Sequence, residues 1–272
     1  MLRRPIPGRA EALPAVGLGT WIAFDVEGAE ELAEARETLA GFVAGGGAVV
    51  DSSPMYGRAE SVVGRLAADL GADRLFLATK VWTEGREAGI RQMEESLRRL
   101  RATRADLMQV HNLVDAAVHV RTLREWKAAG RVRYWGLTHH HAGAHGELER
   151  WMRSERPDFI QINYSLAEPE AGRRLLPLAA ELGVGVIANR PFAEGALFRR
   201  VRGRPLPPWA GDLGVATWAQ FFLKWILGDA AVTCTIPATR RLVHLVENLA
   251  AGTGRLPSAA ERERMARFVV GE

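Results

Sequence analysis

The stretch Ala48-Val49-Val50-Asp51-Ser52-Ser53-Pro54-Met55-Tyr56-Gly57 decides how this chain folds: an apolar run, an acid where the run ends, and a turn-rich loop leading into a helical pattern from Ala59. The run reads as a buried strand, with Asp51 at its end and the phenol of Tyr56 in the loop that follows. A strand-terminal aspartate ordinarily caps its own loop by accepting backbone N–H groups. The meaning of Asp51 therefore rests on what the rest of the chain brings to it.

Outward from this stretch the same unit repeats. Upstream, Pro5 and Pro7-Gly8 mark turns, and Leu13 to Trp21 predicts a short hairpin running into a first strand. Residues 29–44 are helical in spacing, and Gly45-Gly46-Gly47 ends them. Downstream, helices are predicted at 59–69, 87–100, 118–129, 145–154, 171–182, 216–227 and 241–251. They alternate with strands at 75–80, 107–111, 132–138, 159–163, 184–189 and 232–236, and a last helix spans 258–268. A loop with Pro205, Pro207 and Pro208 precedes the seventh helix.

Apolar strands alternating with helices imply a parallel sheet covered on both faces. Eight strand-then-helix units in about 250 residues is the count of an α/β (β/α)8 TIM barrel. The expectation is one such domain over residues 1–272, with a short N-terminal β-hairpin and an extra C-terminal helix. The rival, a doubly wound open sheet, needs a glycine-rich phosphate turn that Gly17-Leu18-Gly19-Thr20-Trp21 does not complete.

Composition narrows the function. The single cysteine, Cys234, excludes an intrachain disulfide and suits a reducing compartment. No apolar run approaches the ~18 to 20 residues of a membrane span. The start, Met1-Leu2-Arg3-Arg4-Pro5, leads into no signal-like stretch, so a cytoplasmic protein is expected. The formal charge of +4 is spread over mixed helices such as Arg91 to Arg101, so no nucleic-acid partner is expected. Of 36 basic residues only Lys80, Lys127 and Lys224 are lysine, which draws attention to what a titratable cation does at those places. Oligomeric state has no signature in the sequence.

In a barrel the carboxyl ends of all strands meet at one face, where active sites lie. Here those ends are polar: Asp51, Lys80, His111, Thr138, Asn163 and Asn189. Any one of them has an ordinary structural reading, but an acid, a lysine, a histidine and the Tyr56 phenol on neighbouring strands form a proton-transfer set. An ammonium beside a phenol favours phenolate, and a carboxylate holds that ammonium charged and in place. Tyr56 is then a general acid tuned by Lys80 and Asp51, and His111 orients a carbonyl oxygen.

Asp51, Tyr56, Lys80 and His111 in this order, preceded by Gly17-Leu18-Gly19-Thr20-Trp21, resemble the aldo-keto reductases. The resemblance extends to Ile236-Pro237-Ala238-Thr239 and His244-Leu245-Val246-Glu247-Asn248. It implies NADPH-dependent reduction of a small-molecule aldehyde or ketone, with those four residues as the catalytic tetrad. By the same resemblance the cofactor lies against Gly19, Thr20, Trp21, Asp51, Thr138, His139 and Gln161. It continues past Asn189, Arg190, Pro191, Phe192, Ile236, Thr239, Arg240, Arg241, His244, Glu247 and Asn248.

Two positions depart from the family pattern. Thr138-His139 stands where the family has Ser-Asn against the nicotinamide carboxamide, and Asn189-Arg190-Pro191-Phe192 stands where it has a stacking tyrosine. Arg190 is a candidate pyrophosphate clamp. The arginines at 240 and 241 favour NADPH over NADH because they suit a 2′-phosphate. Trp21, Met55, Trp82, His111 and Phe192 are the candidate substrate pocket.

His139-His140-His141 lacks an accompanying acid or cysteine, so no metal is expected. Two alternatives stay open: a nicotinamide-binding regulatory or partner protein with little turnover, and an aldolase-like barrel with Lys80 as a Schiff-base nucleophile.

Overall fold

The computed structural model describes residues 1–71 and 74–271. A two-stranded antiparallel hairpin, β1 (Arg3–Pro5) and β2 (Ala12–Pro14), comes first. Eight parallel strands follow in sequential order: β3 (Leu18–Gly19), β4 (Val49–Asp51), β5 (Phe76–Val81), β6 (Ala105–His111), β7 (Val132–His139), β8 (Phe159–Asn163), β9 (Gly185–Asn189) and β10 (Cys234–Thr235).

The sheet closes on itself. Val16 bridges Thr235 and Gly19 bridges Ala238 in parallel, with Gly17 N donating to Thr235 O at 2.8 Å and Thr235 N to Ala15 O at 2.9 Å. Glycine is required at this seam, because a Cβ on Gly17 would lie 2.9 Å from Val49 O and one on Gly19 would lie 2.8 Å from Ile236 O. The barrel is as the repeat predicts.

Helices α1 (Ala29–Ala44), α2 (Ala59–Asp69), α3 (Arg86–Arg99), α4 (Ala116–Ala128), α5 (His145–Glu155), α6 (Leu175–Leu182), α8 (Trp218–Leu227) and α9 (Leu242–Ala250) follow the eight strands in turn. The short α7 (Ala196–Arg200) precedes α8 within the seventh unit, and α10 (Ala259–Val270) ends the chain.

Inside the barrel Val49, Phe76, Leu107, Phe159, Ile187 and Cys234 pack together, and Ile6 and Leu13 of the hairpin join them. The hairpin thus plugs the end of the barrel where the strands begin. This leaves the other end for chemistry.

Three local expectations needed correction. The helix expected at 171–182 is a 3-10 turn over Glu170–Arg173 followed by α6, since a continuous helix would set the Pro177 ring against the carbonyl of Arg173. The long loop after β9 contains α7 and a 3-10 turn at Pro208–Leu213. The strand expected at 232–236 contracts to Cys234–Thr235, with the seam held by single bridges. Among the described residues no helix is long and apolar enough to cross a membrane.

Candidate active site

Asp51, Lys80 and His111 converge at the carboxyl end of the barrel, and the β4–α2 loop lays Tyr56 over them. Lys80 is wholly buried and donates to Asp51 Oδ2 at 2.7 Å and to the Ser52 carbonyl at 2.6 Å. Its Nζ lies 5.1 Å from the centre of the Tyr56 ring. The other carboxylate oxygen of Asp51 accepts from Gln161 Nε2 at 2.7 Å and from Gln109 Nε2 at 3.4 Å. The ring centroids of Tyr56 and His111 are 6.2 Å apart, edge to face, and His111 Nδ1 is 3.2 Å from Ser53 Oγ.

These contacts set the protonation states. Burial works to lower the Lys80 pKa, but Asp51, with help from Tyr56 and Glu60, outweighs it and the net shift is upward. Burial raises the Tyr56 phenol above its ordinary value; Lys80 pulls it down and Asp51 pushes it up. The sequence reading expected the ammonium to dominate. It acts in the expected direction, but desolvation is the larger effect, so the phenol holds its proton. Burial, followed by the charge of Lys80, brings His111 down to about 3, which leaves a neutral imidazole at neutral pH.

Asp51, Tyr56 and His111 border a cavity of about 470 Å³, also lined by Gly19, Thr20, Trp21, Met55, Thr138, Gln161, Ile236 and the segment Asn189 to Phe192, with Lys80 sealed beneath it. Thr20 Oγ1 donates to Asp51 O at 2.9 Å and so ties β3 to β4 beneath it. A second cavity of about 400 Å³, lined by Thr239, His244, Glu247 and Asn248, shares Phe192, Phe198 and Ala238 with the first. The two cavities lie side by side across these three residues, between Tyr56 and α9.

Five expected contacts look different in place. His139 does not line the cavity: its Nδ1 accepts from His140 N at 3.0 Å, and the His140 ring lines the wall instead, 3.1 Å from Asn112 Oδ1. Arg190 lines the cavity but is held by Glu194 at 3.1 Å and lies 3.6 Å from Glu168, so its guanidinium already has anionic partners. Arg240 turns away to Glu31 at 3.1 Å and Glu34 at 2.9 Å, while Arg241 is exposed at the start of α9 with its N–H on Thr239 Oγ1. Trp82 stands beside the cavity, its ring 6.4 Å from that of His111, without lining it.

Gln161 is nearer to expectation. It lines the cavity with Thr138, whose Oγ1 donates to it at 3.2 Å, although its amide also serves Asp51.

The sequence reading missed Asn112, His140, Glu194, Phe198 and, in the second cavity, Thr217 and Trp218. Phe198 and Glu194 belong to the segment expected to be the proline-containing loop before the seventh helix, and the aromatic spacing Phe192 and Phe198 was its available signal. The two rings lie 4.9 Å apart. Buried Asn189 Oδ1 on the cavity wall has no hydrogen-bond partner. Among the described residues no group of three or more histidine, cysteine or acidic side chains is arranged to hold a metal ion.

The buried acid–lysine pair under the Tyr56 phenol, beside a neutral imidazole, equips this barrel to deliver a proton to an oxygen in its cavity. The chain belongs to the aldo/keto reductase family, whose model matches residues 15–263. It is 28% identical over 259 residues to methylglyoxal reductase YeaE of Escherichia coli, covering 91% of this chain and 88% of the relative. A Klebsiella pneumoniae aldo/keto reductase, solved with NADP and acetate, superposes with a TM-score of 0.83 at 27% identity over 99% of this chain and 96% of its own. A holo-form aldo-keto reductase of Bacillus halodurans shares the fold with a TM-score of 0.79 at 20% identity, over 99% and 96% of the two chains.

Proposed function

We propose that the protein reduces an aldehyde or ketone to an alcohol with NADPH, Tyr56 delivering the proton and His111 positioning the carbonyl oxygen. The observation that carries this reading is the buried Lys80–Asp51 pair beneath a phenol that shares its cavity with a neutral imidazole. When bound, the nicotinamide supplies the hydride.

Tyr56 keeps its proton because the site is desolvated, and the Lys80 charge stabilises the phenolate left after transfer. If the Ser53 hydroxyl donates to His111 Nδ1, Nε2 carries the ring hydrogen and is the donor available to a carbonyl oxygen. Asp51 fixes the ammonium against the phenol rather than touching substrate.

The two adjoining cavities suit an extended dinucleotide. They share three lining residues, the unpartnered Asn189 Oδ1 offers an acceptor at the reactive end, and Gln161 retains an N–H and a lone pair for a carboxamide. Phe192 and Phe198 provide the aromatic surface that Asn189-Arg190 lacks. Thr239, His244, Glu247 and Asn248 would hold the adenosine end. Arg241 is the candidate for the 2′-phosphate, because Arg240 is engaged by two glutamates. The Klebsiella pneumoniae relative solved with NADP supports this choice of cofactor. The whole chain acts as one unit, and the lone buried Cys234 suits a cytoplasmic home.

The test is Tyr56→Phe. Carbonyl reduction should fall at least ~10²-fold while NADPH binds with near-normal affinity. Near-normal turnover by the variant would remove Tyr56 from its role.

A further inference from the structure

A groove of about 510 Å³ lies at the amino end of the barrel, away from the catalytic cavity, bounded by the hairpin, the α2–β5 loop and the α3–β6 loop. Its described lining carries five arginines, Arg3, Arg74, Arg101, Arg104 and Arg133, against two carboxylates, Glu11 and Asp106. Five against two is a formal +3, where the whole chain carries +4. The described lining of the catalytic cavity, with Arg190 against Asp51 and Glu194, is −1 by the same count. The arginines come from separate segments, so no basic run in the sequence announces them.

The two carboxylates do not neutralise the groove, because both are already engaged at one side of it. Asp106 accepts from Arg133 at 2.7 Å and from Leu77 N at 2.8 Å, and Glu11 accepts from Arg133 and from the Tyr134 hydroxyl. Arg3 donates to the Ala12 carbonyl, which leaves its charge uncompensated. Among the described residues no carboxylate pairs with exposed Arg101 or Arg104, whereas neighbouring Arg98 and Arg99 both pair with Glu95.

Arg101 is the most informative of the five. Helix α3 ends in a Schellman turn, with Ala102 N donating to Leu97 O at 3.0 Å and Arg101 N to Arg98 O at 3.2 Å. The turn puts Arg101 at φ of 52°, the position that ordinarily takes glycine because an L side chain is strained there. A helix C-terminus favours positive charge, but α3 already has Arg98 and Arg99 in its last turn. Arg101 therefore adds a cation to the groove at a place that resists a side chain. Beside the arginines the lining is apolar, with Ala67, Leu77 and Ala102 each half-buried.

We infer that this groove is a second ligand site, for a small organic phosphate held by Arg101 and Arg104, with its apolar body covering Ala67, Leu77 and Ala102. A guanidinium meets phosphate oxygens with two parallel N–H donors, and a dianion answers a cationic lining better than a single carboxylate does. The site is at the opposite end of the barrel from Tyr56, so it is separate from any phosphate of the cofactor.

The test is calorimetric titration of phenyl phosphate, inorganic phosphate and benzyl alcohol into the full chain in excess NADPH, which fills the cofactor's own phosphate contacts. Phenyl phosphate should bind once per chain, roughly tenfold more tightly than inorganic phosphate, and benzyl alcohol should not bind. Arg101→Gly should weaken phenyl phosphate about fivefold or more without lowering the unfolding temperature, since glycine suits that turn. Arg101→Gly combined with Arg104→Ser should abolish binding and leave NADPH affinity unchanged. Arg36→Gln, on the exposed side of α1, should alter neither.

Failure of phenyl phosphate to bind, or equal affinity for phenyl and inorganic phosphate, would overturn the inference. So would binding that the double variant retains, or an equal loss in Arg36→Gln, which would mark a response to net charge alone. Capture of single-stranded RNA by a chain that ignores phenyl phosphate, lost in the double variant, would make the groove a nucleic-acid surface instead.

Discussion

Lys80 has no contact with water, and Asp51 Oδ2 lies 2.7 Å from its ammonium. A buried pair of this kind is costly to break from one side, since the remaining charge stays desolvated without its partner. Asp51→Asn is therefore expected to destabilise the fold by about 3–5 kcal/mol. The double replacement Asp51→Leu with Lys80→Met should cost less than the two single replacements added together. Urea unfolding of all four proteins checks this, and strict additivity would mean that the two charges are not coupled.

His111 gives the protein a particular response to acid. Its pKa is depressed from 6.5 to about 3 in the folded chain, so below pH 6.5 the unfolded chain binds a proton that the native one refuses. Stability from this residue is complete above 6.5 and drains away as pH falls toward 3. At pH 5 the loss is about 2 kcal/mol. His111→Gln should show a smaller drop in unfolding free energy between pH 7.5 and pH 5 than wild type, and an equal drop would show that the imidazole is not the source.

How far the sequence exposed this site follows from the kind of force at each residue. Asp51, Lys80 and His111 were legible because strand-end position and barrel topology fix their meeting. The helix boundaries were legible where periodicity and glycine agreed, as at α1, and failed at α6, where Pro177 breaks a pattern that spacing alone continues. The acidic partners of Arg190 were not legible, because Glu168 and Glu194 come from another loop and from four residues ahead, and no local pattern announces such a triad. Similarly, His139 and His140 are neighbours in sequence, and only the turn after β7 decides which ring reaches the cavity. The balance at Tyr56 was misjudged because burial is a property of the whole packing, whereas the Lys80 charge is visible in the sequence.

Tyr56 should govern the alkaline side of the reaction. Its phenol is raised by burial above the ordinary tyrosine value of 10.0, so it stays protonated, and competent to donate, throughout neutral and mildly alkaline pH. The turnover number for carbonyl reduction should be flat from about pH 6 to pH 9 and fall only as the phenol ionises. A fall centred below pH 9 would mean that Lys80 outweighs desolvation in the working enzyme.

Arg190 carries the last expectation. Its guanidinium is held by Glu194 at 3.1 Å with Glu168 at 3.6 Å, and its backbone has φ of 51°. The side chain is 28% exposed and Glu194 is 49% exposed, so the pair is screened and its net worth is small, ~0.2–1 kcal/mol. A cofactor phosphate near Arg190 competes with Glu194 for it and is repelled by the same carboxylate. Glu194→Gln removes both effects, and NADPH should bind about 3- to 10-fold more tightly, with the gain shrinking at high salt. Arg190→Ala should weaken binding and abolish that gain in the double variant. Fluorescence titration of NADPH against the four proteins at low and high ionic strength measures this coupling. If Glu194→Gln leaves the affinity unchanged, Arg190 is a fixed wall residue and the cofactor is anchored from the α9 end.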